Sequence, residues 1–241
     1  MRNLFCHCHC CHCFALGLHL RGAEFVPILR YRLGIKIYSS EGPCPACGLP
    51  SDQWGDHALA CAKRGERIAR HDLLRDLIFG VASNASLGPS KEERHLLPGS
   101  AARPGDVLIR RWSDGKDAAL DVTVTSPLAS SNLAAATARP GGALEKAYDR
   151  KMRETADACR QQGLVFLPMA LETLGGMHQV AVNQLKRLGA ALARHNGSDE
   201  REAVSQLFQR ISLHLMRGNA ALLTGRRPDS DYLAAELDGI E

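Results

Sequence analysis

The hydrophobic pattern changes period along the chain. Residues 25–38 mix apolar and basic side chains and are interrupted at Gly34, which predicts a short helix leading into the next unit. Over residues 63–82, Ile68, Leu73, Leu74, Leu77, Ile78 and Val81 recur at helical spacing and predict an amphipathic helix. Beyond Gly88-Pro89 the helical period gives way to short apolar runs. Arg94-His95-Leu96-Leu97 and Asp106-Val107-Leu108-Ile109 read as strands, Ser113-Asp114-Gly115-Lys116 as a turn, and residues 118–125 as a β-branched strand completing a hairpin. Pro140-Gly141-Gly142 precedes a long predicted helix over residues 143–162, stopped by Gly163, and residues 164–171 read as a buried strand. Two amphipathic helices follow, over 178–195 and 199–217, the second opened by Ser198 as N-cap with Asp199 and Glu200 in its first turn. A helix crossing between strands marks the fold as α/β.

Composition narrows the class. The 241 residues are 45% hydrophobic and 23% charged, within globular limits and enough for the core of one ordinary domain. No run approaches the roughly 18 apolar residues of a membrane span, and the first residues lead into Cys and His in place of an apolar signal core. No Walker loop, Gly-x-Gly-x-x-Gly or Gly-x-Ser-x-Gly occurs, so no nucleotide cofactor is expected. Net charge is only +4, but its distribution is uneven. Residues 62–111 hold ten basic and six acidic side chains, while residues 228–241 hold five acidic and none basic. A polyanion would dock on the middle of the chain. The expected organisation is a Cys/His-rich leader (1–24), a helical lead-in with a metal knuckle (25–62), an α/β core (63–176), C-terminal helices (177–227) and an acidic tail (228–241).

The nine cysteines are clustered, which favours metal binding over disulfides. Five lie within residues 6–13, a run of Cys and His without turn residues that reads as low-complexity sequence. Cys159 falls in a helical stretch and is expected in the core. Cys44-x2-Cys47-x9-His57-x3-Cys61 offers three thiolates and one imidazole, a set that suits tetrahedral Zn2+. With all four positions filled by protein the site would be structural. Gly48 lets the knuckle fold back on itself, and Trp54 is expected to pack beside it.

Asp106 begins one hairpin strand and Asp121 lies in the other, with 14 residues between them, so the hairpin can bring the carboxylates together. Two such carboxylates suit Mg2+, a hard ion that keeps waters and phosphate oxygens as its other ligands. A carboxylate within Leu120-Asp121-Val122-Thr123 costs free energy unless an ion or donor compensates it.

In order, the Cys44/Cys47/His57/Cys61 set, Arg70-His71-Asp72, Pro104-Gly105-Asp106-x14-Asp121 and a helix carrying Lys151 resemble the restriction-like endonuclease region at the C-terminus of site-specific non-LTR retrotransposon proteins. These regions belong to the PD-(D/E)xK nuclease superfamily, and the resemblance covers residues 29–176. It implies a restriction-endonuclease-like mixed sheet flanked by helices and a metal-dependent DNA endonuclease that nicks target DNA. It also implies a nuclear location. Asp106 and Asp121 would hold Mg2+ and Lys151 would act on the attacking water or the phosphate. The superfamily usually writes Pro-Asp where this chain has Pro104-Gly105-Asp106, and places its lysine directly after the second acid. Here Asp121-Val122-Thr123 lacks it, so Lys151 is the matched position and Lys146 the second candidate. Arg70, His71, Arg103, Arg150 and Arg153 are expected to contact DNA, or RNA, and Asp72 to lie on the helix surface. Glu172, which follows the last strand, is expected to support the site or the fold and not to catalyse. A zinc-stabilised nucleic-acid-binding protein without cleavage activity, or a decayed retrotransposon fragment, is the alternative that the sequence leaves open.

Overall fold

A computed structural model describes residues 19–97 and 103–226; the Cys/His run and the acidic tail lie outside the described residues. Helix α1 (Gly22–Leu33) leads to a two-residue hairpin, β1 (Gly42–Pro43) and β2 (Pro50–Ser51). A single helical turn, α2 (Asp56–Ala60), and the long α3 (Glu66–Asn84) follow. The sheet then forms from β3 (Ser90–Lys91), β4 (Val107–Ser113) and β5 (Lys116–Thr125). The crossover runs through α4 (Leu133–Ala138), α5 (Gly142–Lys151), a π-helical turn (Met152–Ala156) and α6 (Asp157–Gln161) to β6 (Val165–Glu172). Helices α7 (Gln179–Asn196) and α8 (Glu200–Gly225) close the fold.

The four-stranded sheet has the order β3-β4-β5-β6 and is mixed, with β3, β4 and β5 antiparallel and β5 parallel to β6. The chain is thus α/β, with helices on both faces of a mixed sheet. On one face Val107, Ile109, Leu120, Val122, Met169 and Leu171 pack against Leu74, Ile78 and Val81 of α3, Leu185 and Leu188 of α7, and Leu207, Ile211 and Leu215 of α8. Each such leucine, fully withdrawn from water, contributes roughly 1.5–3 kcal/mol. On the other face Leu108, Ala119 and Phe166 meet Ala156 and Cys159, so Cys159 is a core residue as its helical position predicts. Both faces of β5 being covered, the strand reads as an apolar run that Asp121 interrupts. A second cluster joins Ile28 and Tyr31 of α1, Ile37, Tyr38 and Leu59 to Met216, Leu222 and Leu223 of α8, seating the knuckle against α8.

Four local expectations are corrected or refined. Residues 94–97 form no strand, because Glu92 and His95 have positive φ (49° and 61°) and turn the chain out of register; the short β3 lies upstream instead. The helix expected over 143–162 is present as one continuous run from Gly142 to Gln161, but it is not regular: a π turn in its middle takes up an extra residue, so that both Lys151 and Ala156 face the sheet. The N-cap of α8 is Asp199, whose carboxylate accepts the Glu202 amide at 2.8 Å, in place of Ser198. That helix also continues to Gly225, because its last two turns are buried against α1 and α2.

Candidate active site and metal centre

Beyond Val107, which pairs with Leu120, strand β4 has not yet begun while β5 continues to Thr125, so one edge of β5 is open there. Asp106 closes the step. Its amide donates to the Leu120 carbonyl at 2.8 Å, and its Oδ2 accepts the Val122 amide at 2.6 Å. The side chain thereby extends the ladder by one rung and occupies the position opposite Asp121. Gly105 makes this approach feasible, since a Cβ there would lie 3.0 Å from the Leu120 carbonyl oxygen and 3.1 Å from the Ala119 Cβ. The glycine that departs from the Pro-Asp pattern is favoured by close backbone packing, since a Cβ would force its neighbours to give by a few tenths of an ångström.

The step is reached by helices from both faces of the sheet. From α3, His71 Nε2 lies 3.0 Å from Asp106 Oδ2, and its Nδ1 lies 3.3 Å from Asp72. The Asp106 contact holds the His71 proton affinity above its ordinary value, against burial. From α5, Lys151 Nζ lies 2.9 Å from Asp121 Oδ2, the side chains being 24% and 14% exposed. The approach is off the hydrogen-bonding direction, so this buried oxygen is held by charge and has no directed donor. Burial pushes the Asp121 carboxyl pKa up, opposed by Lys151 and reinforced by the Asp106 charge. Asp106, Asp121, Lys151 and His71 therefore form one electrostatic cluster.

The remaining expected site residues are dispersed. Lys146 bonds the Ser131 carbonyl on the outer side of α5, away from the carboxylates, which leaves Lys151 as the lysine of the cluster. Arg70 does not face solvent. It is 2% exposed, and its guanidinium donates to Asn219 Oδ1 at 2.8 Å. Its stem passes α8 where Gly218 lacks a side chain, since a Cβ there would lie 2.4 Å from Arg70 Cγ. The expectation of a phosphate contact at Arg70 is thus corrected to a core role, and burial lowers its pKa to about 10. The expectation that His71 faces nucleic acid is likewise corrected, because Asp106 occupies its Nε2. Arg103 pairs with Glu92, and Arg150 lies 3.9 Å from Glu154. Arg153 lines an open cleft of about 290 Å³ with Arg139 and Lys146. Much of the central positive charge is internally paired: Arg75 with Asp72, Asp76 and Glu92, Lys91 with Asp76, and Arg110 with Glu93 and Asp117. Glu172 pairs with Thr125 in the sheet register, well along β6 from Pro168, the partner of Asp121.

At the knuckle, one ligand atom from each of Cys44, Cys47, His57 and Cys61 lies within 4.8 Å of the others. Cys44 and Cys61 sulfurs are 4.0 Å apart, and Cys47 Sγ is 3.2 Å from His57 Nε2. A tetrahedral ion with Zn–S bonds near 2.3 Å needs S···S edges of about 3.8 Å. The group can therefore hold a metal such as zinc. The β1–β2 hairpin carries the first two ligands and is closed by Cys44 N to Leu49 O and Gly48 N to Cys44 O, both 2.8 Å. Asp52 positions the third. Its Oδ1 accepts the amides of Trp54, Gly55 and Asp56, and its Oδ2 that of His57 at 2.7 Å, which winds α2 and aims the imidazole at the thiols. Sequence reasoning missed Asp52, although an Asp shortly before a helix start is a capping signal. Trp54 is 42% exposed, with Lys36 Nζ 5.8 Å above its ring, and does not pack into the knuckle as expected.

No protein-family model matches the chain, and no curated protein matches it. Among the described residues no helix is long and apolar enough to cross a membrane.

Proposed function

We propose that the chain is a metal-dependent DNA endonuclease domain of retrotransposon origin that nicks its target by phosphodiester hydrolysis, working in the nucleus, where its DNA substrate lies. What supports this reading most is the meeting of Asp106, Asp121 and Lys151, from a strand start, a strand centre and a helix, at the open edge of β5. A mixed sheet flanked by helices is also the frame that the resemblance leads one to expect. The donor set fits Mg2+: Asp121 Oδ2 is buried without a directed donor, and two carboxylates leave room for water and phosphate oxygens. Bound there, Mg2+ would lower the pKa of a water and polarise the scissile phosphate. Asp106 and Asp121 would hold the ion. His71, through its contact with Asp106 Oδ2, fixes one carboxylate in position. The Lys151 ammonium, already at the carboxylates, offers the positive charge that a phosphorane-like transition state needs. Arg153, on the exposed side of the same helix, would follow the backbone of DNA or RNA.

The second reading, a zinc-braced nucleic-acid-binding protein that does not cut, is favoured by the direct Lys151–Asp121 pair, in which an internal cation already meets the charge of one carboxylate. Incubation with supercoiled plasmid and Mg2+, beside Asp121→Ala, separates the two. Nicking by the wild type and none by the variant is expected. Equal nicking by both removes the catalytic assignment, and DNA binding without nicking establishes the second reading.

A further inference from the structure

One turn of α3 beyond His71, the Arg75 side chain gathers three carboxylates and is only 13% exposed. Its Nη1 lies 2.8 Å from Asp72 Oδ1 and also meets Glu92 Oε1, while Nε lies 2.9 Å from Asp76 Oδ1. Two of these partners lead to Asp106 by separate routes. Asp72 Oδ1 also faces His71 Nδ1 at 3.3 Å, and the other nitrogen of that ring lies 3.0 Å from Asp106 Oδ2. Glu92 reaches the same residue through its backbone, its amide donating to the Asp106 carbonyl at 2.9 Å, and its second carboxylate oxygen pairs with Arg103, three residues before Asp106. Arg75 thus ties down both the side chain and the main chain of Asp106. Asp72 and Glu92 are partly exposed, and carboxylates in water are held weakly by single ion pairs. One planar guanidinium with donors at fixed angles sets both together. The orientation matters because the Val122 amide and His71 both meet Asp106 Oδ2, which leaves Oδ1 as the oxygen that a cation can share with Asp121.

We propose, on the reading of Asp106 and Asp121 as a Mg2+ pair, that Arg75 is a positioning residue: by holding Asp72 and Glu92 together, it fixes the Asp106 carboxylate in the orientation in which the two aspartates share one divalent cation. The long-range field of Arg75 acts in the opposite sense. A positive charge near the pair repels Mg2+, so its removal by itself tightens binding. Weaker Mg2+ binding after a positive charge is deleted is therefore the mark of positioning.

The test uses the full chain, with Mg2+ affinity read by isothermal titration and by the Mg2+-dependent rise in Tm. Arg75→Gln is expected to weaken Mg2+ binding about 10-fold. In the plasmid assay it should raise the half-saturating Mg2+ concentration by the same factor, while the rate at saturating Mg2+ falls by less than about threefold. Arg75→Lys, keeping charge without the fork, should still lose about threefold in affinity. Arg110→Gln is the control for loss of ion pairs in general. It removes an arginine of β4 that pairs with Glu93 and Asp117 and touches neither Asp72 nor Glu92, and should change affinity by less than about twofold. Mg2+ affinity that is unchanged or tighter in Arg75→Gln, yet lost in Asp121→Ala, overturns the positioning role and leaves the Mg2+ pair standing. Equal losses in Arg75→Gln and Arg110→Gln also overturn it, since weakened ion pairing would then account for both. No Mg2+ binding by the wild type, or binding that survives Asp121→Ala, removes the pair and the proposal together. Should Arg75→Gln not fold, Arg75→Lys carries the test, and wild-type affinity there refutes the role.

Discussion

Replacing Lys151 by methionine keeps the stem and deletes the charge, leaving Asp121 in a site where its side chain is 14% exposed and one oxygen is buried. Breaking a buried ion pair costs about 3–5 kcal/mol. The lysine is 24% exposed, and burial already biases Asp121 toward taking up a proton, so the loss at neutral pH is expected nearer 2 kcal/mol. In an Asp121→Asn background no charge needs compensation, and the same substitution should cost less than about 0.5 kcal/mol. Urea denaturation of the four proteins of this cycle measures the coupling, expected at about 1.5 kcal/mol with unchanged slopes. A divalent ion at 100 times its Kd would add about 2.7 kcal/mol. The gain from Mg2+ should be larger in Lys151→Met than in wild type, because lysine and ion compete for the same carboxylates. A coupling below about 0.5 kcal/mol, together with equal Mg2+ effects, would refute the electrostatic account of the cluster.

Asp52→Ala leaves the amides at the start of α2 without their acceptor and should cost about 1–3 kcal/mol, with weaker zinc binding, read by thermal unfolding and chelator competition. Stripping zinc with a chelator should unfold the segment from Cys44 to Cys61 and expose the end of α8, seen as lost amide-exchange protection there while the β4–β5 hairpin stays protected. Burial, and secondarily the Asp56 charge, raises the Tyr31 pKa to about 12, so this phenol contributes stability that is full below pH 10 and falls as pH rises toward 12. Tyr31→Phe should therefore resist alkaline unfolding better than wild type by up to about 2–3 kcal/mol, and identical alkaline transitions would contradict the shift.

The parts legible in the sequence are those fixed by local pattern. The hairpin of β4 and β5 follows from β-branched runs around Ser113-Asp114-Gly115-Lys116, and the metal group from the spacing of Cys44, Cys47, His57 and Cys61. The parts that were not legible depend on partners distant in the chain. Arg70 reads as a surface cation because nothing near it shows that Gly218 leaves a channel for its stem, 148 residues later. His71 reads as a phosphate contact because its partner, Asp106, is 35 residues away. The choice between Lys146 and Lys151 needed the phase of α5 relative to the sheet, which the π turn sets. The false strand at residues 94–97 shows the opposite failure, in which an apolar pair outweighed two left-handed backbone positions that sequence does not announce.

The π turn between Lys151 and the Ala156–Cys159 anchor makes the connection asymmetric toward changes of length. It already stores one residue more than regular winding needs. Deleting Glu154, which is exposed, would let the segment relax to ordinary α-helix with Lys151 still directed at Asp121. Inserting one alanine at the same place finds no slack and would swing the lysine about 100° around the helix axis, disarming the acidic pair with all its members intact.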